Sequence, residues 1–254
     1  MTRSSTPTSA VLVTGGASGI GRASAEAVAA EGRPVAIWDL HADGAVETAT
    51  RLADEHGVPT TALGIDVTRS DELAEAVATS RAVVGPFGGL VHAAGVVRAQ
   101  SLGGLDDAGW DAVLDVNLRA FPMLVQALLD DLSASEGAAV VGISSIEGWV
   151  GNAVIPAYCA SKAGMLGAVR SMAAQLGPLG VRVNAICPGF IETAMLAPAL
   201  SVDGVAERFA ARSMIGRIGR PSEIGEPAAF LLSDRASFIT GQSLIVDGGV
   251  LAQI

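Results

Sequence analysis

Tyr158 and Lys162 are the only tyrosine and the only lysine in 254 residues, and they stand four positions apart at the end of the run SSIEGWVGNAVIPAYCASK, which begins at Ser144. On a helix that spacing turns both side chains to one face. A phenol ordinarily ionises at a pKa of roughly 10, and an ammonium one turn away stabilises the phenolate, so the pair is a candidate acid or base near neutrality. A capped helix with a packed tyrosine is the plainer alternative. Two-residue spacings recur by accident, so the surrounding elements have to decide.

Those elements alternate in kind. Residues 10–14 (AVLVT) are a continuous apolar run of the type expected of a strand covered on both faces. Gly15, Gly19 and Gly21 follow at once, and Ile20, Ala23, Ala27 and Ala30 then recur at helical period. Strand, glycine turn and helix in this order favour dinucleotide binding over a plain tight turn, because bare backbone and a helix N-terminus can meet a pyrophosphate. A second strand, residues 34–39, ends in Asp39, eighteen residues after Gly21. There a carboxylate accepts hydrogen bonds from the adenosine ribose and repels a 2′-phosphate, while Ser18 and Leu40 offer no cation. NAD is therefore expected over NADP, with an ordinary strand-end aspartate as the alternative.

The alternation continues with a helix at 42–56, a strand ending at Ile65-Asp66-Val67, a helix from Ser70 and a strand at 89–93. A single long helix is predicted over 106–132, its stripe formed by Val113, Asn117, Phe121, Leu124 and Leu128. Asn117 is the misfit in that stripe: a buried carboxamide either satisfies local backbone or holds something functional such as water. Strand 138–143 delivers Ser144-Ser145 to its C-terminal end, where ligands bind in an open parallel sheet. A helix at 158–176, a strand at 181–186, an irregular stretch to Arg220 and a strand at 243–246 complete the chain. The pattern predicts an α/β fold, a doubly wound parallel sheet of about seven strands with helices on both faces.

Length and composition agree with one domain over residues 1–254, with a polar tail at 1–9. Half the residues are hydrophobic and only 4% aromatic, so the core is expected from interdigitating Ala, Val, Leu and Ile. A net charge of −10 opposes nucleic-acid or anionic-membrane partners. No run reaches membrane-spanning length or signal-peptide form, which predicts a cytoplasmic protein. Cys159 and Cys187 lack ligand spacing and read as buried small hydrophobes, no metal site is predicted, and His41, His56 and His92 are assigned structural or surface roles. Arg208, Arg212, Arg217 and Arg220 read as a solvated cluster pairing with acidic surface rather than as a phosphate site.

The ordered set resembles the classical short-chain dehydrogenase/reductase family over nearly the whole chain. Its pieces are Thr14-Gly15-x-x-x-Gly19-Ile20-Gly21, Asp66-Val67, His92-Ala93-Ala94-Gly95, Asn117, Ser144-Ser145, Tyr158-x-x-x-Lys162, residues 188–193 (PGFIET) and Asp247-Gly248-Gly249. The thirteen-residue step to Tyr158 selects Ser145 over Ser144. The resemblance implies a Rossmann-type fold and a catalytic tetrad. Tyr158 would exchange the proton, Ser145 would hydrogen-bond the reacting oxygen, Lys162 would lower the tyrosine pKa and grip the nicotinamide ribose, and Asn117 would anchor a water. It further implies cofactor contacts at Asp66 and Val67 with adenine, at Ala93, Ala94 and Gly95 with ribose, and at Pro188, Gly189, Ile191 and Thr193 near the nicotinamide. The departure is His92-Ala93, where the family has Asn-Asn, which removes amides that brace the central strands.

The leading reading is an NAD-dependent oxidoreductase for a secondary alcohol or ketone of moderate, apolar character. Residues 190–220 serve as substrate loop, and Val97, Glu147, Trp149, Val154, Ile155, Met195 and Leu196 are pocket candidates. Residues 188–195 (PGFIETAM) are also similar to 3-oxoacyl-carrier-protein reductases, but Asp39 opposes their usual NADPH and the acidic stretch 130–136 opposes an acidic carrier. A non-catalytic cofactor sensor on the same fold is a remote alternative, since the tetrad is intact. The resemblance also implies a homotetramer.

Overall fold

The computed structural model describes residues 7–253; residues 1–6 of the polar tail lie outside that range. Strands β1 (Ala10–Thr14), β2 (Val35–Asp39), β3 (Thr60–Gly64), β4 (Phe87–His92), β5 (Ala139–Ile143), β6 (Arg182–Pro188) and β7 (Ser243–Val246) form one parallel sheet. Its order is β3-β2-β1-β4-β5-β6-β7. The order reverses between β1 and β4, and an open α/β sheet leaves a ligand crevice at such a switch point. Strands β1, β4, β5 and β6 are buried along their whole length, and the polar Arg182 and Asn184 of β6 are satisfied there by the Leu231, Ser233 and Ile239 carbonyls.

Helices α1 (Gly19–Ala30), α2 (Ala42–His56) and α3 (Leu73–Val84) follow the first three strands. The stretch expected as one helix is interrupted. It runs as α4 (Asp107–Leu114), a π-helical turn (Asp115–Arg119), α5 (Ala120–Ala127) and α6 (Leu129–Ala134). The apolar stripe still faces the sheet, with Val113, Asn117, Phe121, Leu124 and Leu128 all buried. One extra residue at Asp115–Arg119 is how the helix keeps that register while holding Asn117 toward β4. Next come α7 (Pro156–Leu176), α8 (Ala197–Leu200), α9 (Val205–Arg212) and α10 (Ser222–Leu232).

Two apolar layers result. Val11, Val13, Ile37 and Val141 pack under α1, α2 and α10, while Leu12, Leu90, Val140 and Val183 pack under the α5 and α7 side. Small residues allow close approach: a Cβ on Gly225 of α10 would stand 2.4 Å from the Ala23 carbonyl of α1. Trp38 is fully buried, and its indole N–H donates to Ser80 at 2.9 Å, which removes the cost of burying that donor. Among the described residues no helix is long and apolar enough to cross a membrane.

Candidate active site

The C-terminal end of β5 and the first turns of α7 make one locus. Pro156 occupies the first helical position of α7, where its missing N–H costs nothing, so Tyr158 falls in the first turn and Lys162 one turn later. The Lys162 ammonium is buried and donates to the Ile143 carbonyl at 2.7 Å, with its Nζ 5.4 Å from the Tyr158 ring centre. Ser144 and Ser145 diverge. The Ser144 hydroxyl donates to the Lys162 carbonyl at 2.9 Å and so braces α7. Ser145 Oγ accepts the Glu147 N–H at 3.1 Å, capping the 3₁₀ turn Ile146–Gly148, and it hydrogen-bonds the Tyr158 phenol.

Asn117 is fully buried, and its carboxamide is satisfied by the backbone of Val96 and the Ser161 hydroxyl. Its NH₂ donates to the Val96 carbonyl at 2.9 Å and Ser161 Oγ at 3.1 Å, and its Oδ1 accepts the Val96 N–H at 2.8 Å. One acceptor lone pair remains. Gly95 lies against this group: a Cβ there would be 3.4 Å from Asn117 Oδ1, 3.7 Å from Lys162 Nζ and 3.8 Å from Met195 Cε.

Burial dominates the titration of both chemical groups. It pushes the Tyr158 phenol up to about 12, partly opposed by the Ser145 hydrogen bond and reinforced by the Glu147 charge. It pulls the Lys162 ammonium down to about 8. In the protein without cofactor desolvation is the largest influence on Tyr158, which is held protonated, and the lowering expected from Lys162 together with a positive nicotinamide concerns the cofactor-bound enzyme.

Beside this locus, at the switch point, the turn after β1 is built for close approach. Gly15 has φ +69°, and a Cβ on it would stand 2.7 Å from the Ala94 nitrogen; a Cβ on Gly21 would stand 2.0 Å from the Gly15 carbonyl. Gly19 faces Thr193, Ile20 is half-buried beside it, and Ser18 is exposed at the N-terminus of α1 without a side-chain cap. Asp39 accepts the Ala17 N–H at 3.0 Å and the His41 N–H at 2.9 Å, which aims its carboxylate at the crevice with lone pairs to spare. Leu40 is exposed and Val67 buried, while Asp66 accepts from the Thr68 N–H and hydroxyl. Ala93 and Ala94 donate to the Thr14 carbonyl and hydroxyl. Pro188 ends β6, Gly189 donates to Val246, Ile191 bridges to Gly219, and the Thr193 hydroxyl donates to the Ile191 carbonyl. These residues fit a dinucleotide: a side-chain-free cradle, the open amides of a helix N-terminus and a carboxylate at the end of β2.

Residues 15–251 match the sequence profile described as Enoyl-(Acyl carrier protein) reductase. The chain is 40% identical to cis-4-hydroxycyclohexanecarboxylate dehydrogenase of Sinomonas cyclohexanicum and 35% identical to 2-(S)-hydroxypropyl-CoM dehydrogenase 3 of Xanthobacter autotrophicus, covering 95% of this chain and 96% of each relative. It is 34% identical to a 3-oxoacyl-carrier-protein reductase of Chlamydia muridarum, over 95% of this chain and 96% of that one. A Brucella melitensis short-chain dehydrogenase/reductase of the glucose/ribitol dehydrogenase type superposes with a TM-score of 0.89 at 30% identity, over 97% of this chain and 98% of that one. The chain belongs to the short-chain dehydrogenase/reductase family. It is an oxidoreductase acting on CH–OH donors, and its family binds a nicotinamide cofactor. A further member, from Agrobacterium tumefaciens and described as a 2-deoxy-D-gluconate 3-dehydrogenase, holds NADP; it superposes with a TM-score of 0.87 at 32% identity, over 96% of both chains.

Within this family frame, the departure at His92 is repaired in place. His92 is fully buried and stacks on Phe121, 5.4 Å between ring centres. Its Nε2 lies 3.2 Å from the Val116 carbonyl, which can only accept, so Nε2 carries the proton and Nδ1 accepts the Thr14 hydroxyl at 2.9 Å. One side chain thereby ties β1 and β4 to the π-turn that presents Asn117. The bracing expected to be lost is supplied by an imidazole. Its signal was visible in the sequence, but its partner Thr14 lies 78 residues away.

The side chains expected to line a substrate pocket are apolar apart from Glu147. Val97, Trp149, Val154 and Met195 are exposed, Ile155 and Leu196 half-buried, and the Trp149 indole donates to Cys187 Sγ at 3.4 Å. Cys187 is buried; Cys159 is only half-buried, contrary to expectation. The loop at 190–220 is pinned by Phe190 stacked on Phe209 at 4.1 Å, with Arg212 over the Phe190 ring. Arg217 and Arg220 pair with Glu223. A cavity of about 100 Å³ behind this loop is lined by Phe190, Ser213, Ile215, Asp247 and Val250, and is separate from the Tyr158 locus.

Proposed function

We propose that the protein is an NAD(H)-dependent oxidoreductase interconverting a secondary alcohol and a ketone of moderate size and apolar character, with Tyr158 as acid and base. The observation that carries this reading is the convergence of Ser145, Tyr158, Lys162 and Asn117 beside a crevice whose β2 strand ends in Asp39. When bound, the nicotinamide supplies the hydride acceptor and, in its oxidised form, a positive charge. Ser145 Oγ is oriented by the Glu147 N–H that it accepts, and its O–H, next to the Tyr158 phenol, would donate to the substrate oxygen as charge develops there. Tyr158 donates its proton to that oxygen in the reducing direction; in the oxidising direction it must first lose that proton to become the base, and the Lys162 ammonium together with a positively charged nicotinamide would favour the tyrosinate. Lys162 would also hold the ribose hydroxyls, and the remaining Asn117 lone pair suits a water behind it.

Asp39 supports NAD over NADP, since a 2′-phosphate would meet a carboxylate with no cation at Ser18 or Leu40. The NADP-bound relative makes this a property to test in this chain rather than in the family. The test is nicotinamide absorbance with NAD or NADP across aliphatic, cyclic, aromatic and steroid secondary alcohols, with Tyr158→Phe as control. NAD-linked turnover that disappears in the control is expected, and Asp39→Ala should narrow the NAD preference at least about tenfold. Equal turnover in the tyrosine variant would refute the assignment.

The second reading, a 3-oxoacyl-carrier-protein reductase, draws on the Chlamydia relative and on PGFIETAM. Faster turnover of an acetoacetyl-carrier substrate with NADPH than of any free alcohol with NAD would establish it instead. A homotetramer is also proposed, and sedimentation showing monomer alone would remove it.

A further inference from the structure

Among the candidate pocket side chains, six are apolar and one carries charge. Glu147 sits two residues after Ser145, and its own N–H holds the Ser145 hydroxyl, so its backbone position is fixed to the reacting locus. Its Oε1 accepts from Asn152 Nδ2 at 3.2 Å, and its Oε2 lies 3.9 Å from the thiol of Cys159, the residue after Tyr158. It is half-buried, and among the described residues no cation pairs with it within ion-pair distance. The nearest ammonium, on Lys162, is buried and turned to the Ile143 carbonyl.

We infer that Glu147 is a specificity-determining residue that excludes anionic substrates from the reacting end of the pocket and reserves it for neutral alcohols and ketones. The inference rests on the dehydrogenase reading given above. The Glu147 carboxylate is tied only by one amide and one thiol, with no cation beside it among the described residues to offset its field. Half-removed from water, it repels a second carboxylate brought within several ångströms by about tenfold to a hundredfold in binding at an effective dielectric near 20. Its field already reaches both neighbours, holding the Tyr158 phenol and the Cys159 thiol up. A neutral ester or ketone meets no such cost, and a hydroxyl beside the reacting carbon gains an acceptor.

Two measurements test this. The first compares kcat/KM for methyl 3-hydroxybutyrate and for 3-hydroxybutyrate, a pair that differs in charge near the carbinol. The native enzyme should favour the ester by at least about tenfold, and Glu147→Gln should shrink that preference at least fivefold through the KM of the anion, while Glu147→Asp retains it. An unchanged preference in the glutamine variant overturns the inference. The second needs no turnover: alkylation of Cys159 by neutral iodoacetamide and by anionic iodoacetate, followed by mass spectrometry on the intact chain. The ratio of the two rates should fall about fivefold in Glu147→Gln and hold in Glu147→Asp. A ratio equal in all three proteins overturns the inference. Turnover of neither compound counts against the dehydrogenase reading, and the alkylation ratio then decides the role of Glu147 alone.

Discussion

Replacing His92 by phenylalanine separates its ring from its hydrogen bonds. Phenylalanine keeps the flat ring against Phe121 but leaves the Thr14 hydroxyl and the Val116 carbonyl without their imidazole partner. Thr14 still accepts from Ala94, so the loss near neutrality is about 1–3 kcal/mol. The pH dependence is the sharper number. Burial holds His92 down to about 3 against an ordinary value of 6.5. The unfolded chain therefore takes up a proton below pH 6.5 that the folded chain refuses until about pH 3, and stability contributed by the neutral imidazole is lost as pH falls through that window. At 1.36 kcal/mol per unit, the native protein loses about 2 kcal/mol between about pH 7.5 and about pH 5 from this one group. The phenylalanine variant has no such proton to bind. Urea unfolding followed by tryptophan fluorescence at both pH values should show the native protein more stable at the higher pH and the gap closed or reversed at the lower. A stability difference that is the same at both would refute a buried neutral His92. The variant should also lose kcat more than cofactor affinity, since the π-turn at Asn117 loses its tie.

Tyr158, as the only tyrosine, can be titrated alone by tyrosinate absorbance in the near ultraviolet. Its pKa of about 12 predicts no half-titration below about pH 11 when read by rapid mixing, and a stability that falls above about pH 10 because the unfolded phenol ionises first; half-titration at or below 10 would sink the burial argument. Gly15→Ala forces a Cβ to 2.7 Å from the Ala94 nitrogen at φ +69°, where backbone cannot yield. It should cost about 2–4 kcal/mol and weaken NADH binding at least tenfold, whereas Gly167→Ala, with open space around it on α7, should be neutral or mildly stabilising. Equal stability of the two variants would contradict the cradle.

The sheet was legible because its signals are local. Short apolar runs such as those of β1, β2 and β5, bounded by turn residues, fit strands covered on both faces, and their regular alternation with helical periods makes a parallel doubly wound sheet the consistent solution. The glycine turn, Asp39 and the Tyr158-Lys162 spacing were readable for the same reason, each being a short run whose chemistry depends on neighbours in sequence. What escaped depends on distance in sequence. The π-turn follows from the fit of Asn117 to Val96 and Ser161, 21 and 44 residues away, and no period in 106–132 announces it. The Tyr158-Lys162 spacing shows which groups meet, but the desolvation acting on the phenol is set by the elements packed around it. His92 was a visible exception whose purpose needed Thr14 and Val116 beside it. Amino-acid order thus determined which elements form and which groups carry chemistry, since backbone propensity and side-chain period act over a few residues. Tertiary structure alone decided the tautomer of His92, the partners of Asn117 and the desolvation felt by Tyr158 and Lys162, because hydrogen bonding and desolvation are set by whatever packs against a group, wherever in the chain it comes from.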